Sequence, residues 1–228
     1  MDLKTGKTRT ISRIASADPK YPFNAIGFNP KDNYLYGTKH KHLLRLFGDG
    51  RTEEVLQLPI QPNMGDFDEH GKYWCSNGGK VWASVDLDPQ SRTYKKVESG
   101  KATFPGPKAD RAFPSDWAYT PVASGHLYGV GVLHDKGRSY PALVRWSTTS
   151  KAWSVIYKAK NFKDARSFGA VMSTRNGIIY GLETTSGNIV RFDLYDHTKS
   201  TEMRGGPVSR NKPSHTYGTR CLLQPDSR

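Results

Sequence analysis

The chain has 228 residues, with 34 Lys and Arg against 21 Asp and Glu, and so carries a formal charge of +13. Hydrophobic residues make up only 36% and the longest apolar runs are a few residues, which excludes a bilayer-crossing helix of about 20 apolar residues. Two cysteines exclude a disulfide-dense scaffold, while 22 Gly, 14 Pro and 11% aromatics argue against a helical bundle and for many short strands with tight turns.

The opening residues Asp2-Leu3-Lys4-Thr5-Gly6-Lys7-Thr8 read as strand, turn and strand, with no apolar leader before them. A chain that begins inside a hairpin reads as trimmed. The next strand-like segment, Phe23-Asn24-Ala25-Ile26-Gly27-Phe28, carries small residues. A turn follows, then Tyr34-Leu35-Tyr36-Gly37, then the run 42–47 and a fourth run at 54–58. The same series begins again. Met64-Gly65-Asp66-Phe67-Asp68 leads through a turn to Tyr73-Trp74-Cys75, then to 80–85 and 94–97. After a long connection at 101–114, Ser115-Asp116-Trp117-Ala118-Tyr119 precedes Leu127-Tyr128-Gly129, with further runs at 142–146 and 153–157. A fourth series starts at Phe168-Gly169-Ala170-Val171-Met172 and continues through Ile179-Tyr180-Gly181 to 188–192. Tyr217-Gly218-Thr219-Arg220-Cys221-Leu222 resembles the first strand of a series but stands alone.

Four strands per unit at a period of about 40 to 50 residues is the signature of propeller blades. The small residues of each first strand suit the innermost position, where backbones crowd around an axis. The expectation is one all-β domain over 1–228, a five-bladed β-propeller closed by pairing of N- and C-terminal strands in one blade. The blades fall at about 22–60, 61–100, 113–160 and 166–206, with a fifth built from 1–13 plus 214–224. A shared blade would remove exposed sheet edges. It would also pool Lys4, Lys7, Arg9 and Arg13 with Arg204, Arg210, Lys212 and Arg220 into a basic flank.

The segments Ala25-Ile26-Gly27-Phe28-Asn29, Asp32-Asn33-Tyr34-Leu35-Tyr36-Gly37, Gly65-Asp66-Phe67-Asp68, Asp116-Trp117-Ala118-Tyr119 and Phe168-Gly169-Ala170 occur in a telling order. Together they resemble a largely uncharacterised family of repeat-containing, propeller-like extracellular proteins of fungi and bacteria. That family often closes on Gly-Ala-Arg-Cys, and Gly218-Thr219-Arg220-Cys221 departs from it by Thr for Ala. The resemblance covers roughly 22–222. It implies a secreted or surface location, with the signal sequence outside this chain, and it supplies no catalytic residues.

On inner strands, Asp66, Asp116, Tyr119 and Arg220 are candidate ligand-binding residues, with Glu183 near a strand end. Trp117 offers an aromatic face beside a carboxylate, a pairing suited to a polyol. The competing structural reading has Asp66 and Asp116 accepting backbone N–H groups from a neighbouring blade and Arg220 paired with one of them. The remaining tryptophans read as packing between blades. His40 and His42 read as a solvated turn rather than a metal site. No nucleotide-binding loop, Gly-x-Ser-x-Gly elbow or Asn-x-Ser/Thr acceptor is present, and no cofactor is expected. Cys75 and Cys221 read as free thiols, with a disulfide as the alternative.

Two functions fit these residues. The first is a secreted, non-catalytic module that recognises a carbohydrate or an acidic surface polymer, without sequence-specific nucleic-acid recognition or a membrane span. The alternative is a lyase, hydrolase or cyclase at the channel mouth. In that case Asp116 would act as general base or metal ligand, Asp66 as its partner and Arg220 as anion stabiliser.

Overall fold

The computed structural model describes residues 12, 14, 22–107, 111–162, 165–203 and 218–223. Four four-stranded antiparallel sheets make up the described fold. The first contains β1 (Asn24–Phe28), β2 (Leu35–Lys39), β3 (His42–Leu46) and β4 (Thr52–Gln57). The second contains β5 (Met64–Phe67), β6 (Lys72–Asn77), β7 (Val81–Asp86) and β8 (Val97–Lys101). The third contains β9 (Pro114–Tyr119), β10 (His126–Asp135), β11 (Arg138–Ser147) and β12 (Trp153–Lys158). The fourth contains β13 (Phe168–Ser173), β14 (Ile178–Glu183), β15 (Ile189–Asp193) and β16 (Thr201–Met203). Each sheet is a simple meander, and the first strands pack in series, β1 on β5, β5 on β9 and β9 on β13. The sheets are the blades of a β-propeller and these first strands surround its axis.

Four blades replace the expected five among the described residues. The fifth, assigned to 1–13 plus 214–224, falls largely outside them, and no pairing of the two termini is seen in those that are described. Residues 218–221 form no strand. Gly218 instead packs against Ala170 and Met172 of β13, with its N–H beside the Asp116 carboxylate.

Close approach at the axis explains the small residues there. A Cβ on Gly27 would stand 2.8 Å from Cα of Asp66 on the next blade's inner strand. The blade faces are apolar and meet in three clusters. Tyr36, Leu43 and Phe67 join Tyr73 and Val85 between the first and second blades. Trp74, Trp82, Trp117, Trp146 and Trp153 lie together between the second and third. Tyr128, Leu143, Phe168 and Phe192 fill the space between the third and fourth. All five tryptophans of the chain thus share one interface. At about 25 cal/mol per Å², each buried indole contributes several kcal/mol before ordering entropy is subtracted.

The outer strands protect their own edges. β4 exposes Glu53 and Glu54, β8 exposes Lys101, and β16 is three residues long. The stretch around 134–141 is the end of the β10–β11 hairpin. Lys136 and Gly137 at its tip both have positive φ, 47° and 77°, as a tight twisted hairpin requires.

Candidate functional site

Each inner strand is followed by a buried polar residue, and in three of the four blades its side chain caps the turn to the second strand. Asn29, Asp68, Thr120 and Thr174 occupy this position in the four blades. The Asn29 side chain accepts the Lys31 N–H at 2.9 Å and donates to Leu87 O at 3.0 Å. Asp68 accepts backbone N–H groups from His70 and Lys72 and the Trp74 indole at 2.7 Å. Thr120 Oγ1 donates to Thr174 O at 2.8 Å, and Thr174 Oγ1 accepts the Ile178 N–H at 2.9 Å. By pinning the turns, the caps also position the residue after each of them. Those residues, Pro30, Glu69, Pro121 and Arg175, all line one cavity of about 200 Å³. Phe28, Phe67 and Tyr119, each just ahead of a cap, line it as well. Arg220, Leu222 and Leu223 of the C-terminal segment complete the wall.

Asp66 also faces this cavity. Its Oδ2 accepts the Tyr119 N–H across the blade boundary at 2.8 Å. Burial pushes its carboxyl up to about 7, although the N–H groups of Tyr119, Phe67 and Phe28 draw it down. The Thr219 hydroxyl stands beside it, outside strict hydrogen-bond geometry, and acts in the same direction. Asp116 repeats the arrangement one blade further on, with Oδ2 accepting the Val171 N–H at 3.0 Å and Oδ1 accepting its neighbour Trp117 N–H at 2.9 Å. Burial holds its carboxyl well above the usual range, and the nearby Asp66 adds to this.

Of the six expected ligand residues, Asp66, Tyr119 and Arg220 converge on the cavity. Asp116 does not line it, and its carboxylate is bonded to the backbone of its neighbours. Trp117 is fully buried and packs on Trp146 and Trp153, with ring centroids 5.2 Å and 5.8 Å away, so it presents no face to a ligand there. Glu183 turns the β14–β15 loop, accepting the N–H groups of Thr185 and Ser186 and the Ser186 hydroxyl. Burial works to raise its carboxyl, but these donors outweigh it and hold the pKa below the usual value. It lines a different cavity, of about 380 Å³, with Asn188 and Glu202.

Glu69 and Arg175 are the cavity residues the sequence reasoning missed. Glu69 Oε1 accepts the Ser124 hydroxyl, while Oε2 is buried with no hydrogen-bond partner. The Tyr119 phenol lies nearby, and burial, then Glu69, pushes its pKa up. Burial acts against ionisation of Glu69 as well, yet the Ser124 hydroxyl and neighbouring donors lower its pKa overall. Among the described residues, no three His, Cys, Asp or Glu side chains gather as a metal centre would need. Cys75 is a buried free thiol and Cys221 a half-buried one.

A propeller with a small, largely apolar cavity at one end of its axis, carrying the charged side chains of Asp66, Glu69, Arg175 and Arg220, is therefore the class of protein that the fold defines. The chain belongs to the DUF6923 family, a repeat of unknown function, which matches residues 2–221. No curated protein matches it significantly. Among solved structures it is similar to a candidate gluconolactonase at a TM-score of 0.52 and 12% identity, covering 80% of this chain and 62% of that one. It is also similar to a gluconolactonase of Xanthomonas campestris at a TM-score of 0.49, with 12% identity over 76% of this chain and 58% of that one. A TolB candidate of Agrobacterium tumefaciens gives a TM-score of 0.49 and 17% identity, covering 89% of this chain and 66% of that one. The chain thus spans about three fifths of the first two structures' length. At these identities the likeness shows the fold alone, and 455 solved chains match in all.

Proposed function

We propose that this chain is a secreted, non-catalytic binding protein that holds a small carbohydrate or sugar acid in the axial cavity. The observation that carries this reading is the convergence of Arg175 and Arg220 with Asp66, Glu69 and Tyr119 around one space of about 200 Å³. That volume falls below the roughly 300 Å³ at which drug-sized pockets begin, which favours a ligand of monosaccharide size. Two guanidinium groups suit a carboxylate or a vicinal diol, and the orphaned Glu69 Oε2 offers an acceptor to a hydroxyl. The net charge of +13 favours acidic sugars, including the ends of acidic surface polymers.

The test is calorimetric titration of neutral monosaccharides and their uronic acids into the folded chain at low and moderate salt. Saturable binding that Arg175→Ala weakens by about tenfold or more supports the reading, since a charged hydrogen bond is worth about 1.5–3 kcal/mol. Absence of binding across both the neutral and the acidic set overturns it. Detection of the chain in the culture medium of its native cells, rather than in the cell interior, tests the secreted location.

A second reading rests on Asp66, which lines the cavity with a carboxyl raised to about 7, in the range suited to general acid–base work. Here the chain would be a lyase or hydrolase of the same ligand class. Turnover of a bound sugar that Asp66→Asn abolishes, with binding retained, would favour this reading over simple binding.

A further inference from the structure

Between the second and third blades, the ammonium of Lys151 lies over three tryptophan faces at once. Its Nζ is 4.3 Å from the ring centroid of Trp74, 4.7 Å from that of Trp82 and 5.7 Å from that of Trp146. The three rings are mutually tilted at 50°, 67° and 53°, so they form a concave cage rather than a stack. Two of these indoles, Trp82 and Trp146, keep a buried Nε1–H with no hydrogen-bond partner. Glu98 is close enough to act on Lys151, but it already pairs with Lys96 at 3.1 Å and Lys72 at 3.6 Å.

Lys151 enters the cage from a tight turn. Its backbone N–H donates to Ser147 O at 3.0 Å, and its φ is 56°, a left-handed value unusual for a side-chain-bearing residue. Nζ also donates to Thr148 O within the same turn. The turn's tip, Thr149 and Ser150, is exposed. The ammonium therefore sits on a short surface turn whose opening would relieve a strained backbone and uncover three aromatic faces. Three electron-rich faces around one cationic centre match a quaternary ammonium, which needs no hydrogen-bond acceptor and gains from each ring.

We propose that Trp74, Trp82 and Trp146 form a quaternary-ammonium site that Lys151 fills from within, as an internal stand-in for the ligand. The site lies apart from the axial cavity and shares no residue with it. Its ligand is a small trimethylammonium compound.

The experiment compares the full-length wild type with Lys151→Gly, a change that the positive φ tolerates. Choline and its uncharged isostere 3,3-dimethylbutan-1-ol are each titrated while tryptophan fluorescence is read. The expected result is saturable quenching of Lys151→Gly by choline, with an apparent Kd about tenfold or more below that for the alcohol. Wild type is expected to need about tenfold more choline, because Lys151 competes. Equal responses to choline and the alcohol in the folded variant, or no saturation, overturn the proposal. Lys151→Asn is the second variant, since Asn also accepts a left-handed φ. If neither variant folds by circular dichroism, Lys151 is a structural plug and the proposal falls.

Discussion

The Asp66 carboxylate on the second blade accepts the Tyr119 N–H of the third blade at 2.8 Å, and Asp116 does the same for Val171 of the fourth at 3.0 Å. Each acidic side chain thus ties its inner strand to the next one. In the first blade the corresponding device runs the other way. There the Tyr73 phenol of the second blade donates to Ala25 O at 2.6 Å. These side-chain bonds do between blades what ladder bonds do within them.

Asp116→Ala is expected to destabilise the fold by about 3 kcal/mol, because it leaves buried N–H groups of Val171 and Trp117 without an acceptor. Asp116→Asn keeps one acceptor oxygen and is expected to cost less than half as much. Urea midpoints of the two variants against wild type check this, and equal costs would show that acceptance of the N–H groups is not the role.

The stability of the fold should fall as pH rises from about 4 to 7. Asp66 holds its proton up to about 7 when folded, against an ordinary value near 3.8, because it is buried. Between these values the native state binds the extra proton, so its contribution is complete below about pH 4 and lost by about pH 7. A window of about three pH units corresponds to a change on the order of 4 kcal/mol. Asp66→Asn should flatten the curve of urea midpoint against pH over this window. An unchanged slope would assign the titration to other groups.

Gly65→Ala is expected to cost about 2–3 kcal/mol, since its Cβ would collide with Tyr73 Oη and stand 2.7 Å from Ala25 O. Tyr73→Phe alone should cost about 1 kcal/mol through the lost bond to Ala25 O. Combined, the two should cost less than their sum, because Phe removes the atom that the new methyl meets. Strict additivity in a double-mutant cycle would show that the phenol is not what excludes a side chain at Gly65.

Three of the five polar residues of the candidate site are legible in the sequence and two are not, for a definable reason. Asp66, Tyr119 and Arg220 stood out because they are polar or amphipathic residues on segments of small, inner-strand character. Glu69 and Arg175 are silent in the sequence because each reads as one more charged turn residue. The available signal was the repeat itself. Pro30, Glu69, Pro121 and Arg175 hold the same place after the cap in four blades, and aligning the blades would have brought them together. Trp117 misled because an Asp-Trp pair suggests a sugar platform, although neighbouring residues on a strand point to opposite faces. Here the Asp side chain reaches the next blade's inner strand and the Trp side chain enters the interface between blades.

By itself the sequence determined the blade as a unit, because alternation along a strand and Gly or Asn at a turn are settled between near neighbours. Period and strand order came with it. The number of sheets, the gathering of five tryptophans in one interface and the lodging of Lys151 among three of them were decided only in the tertiary structure. Those features depend on how far each blade turns relative to the last and on which side chains lose water together. Both are set by contacts between residues far apart in the chain, where local pattern carries no information.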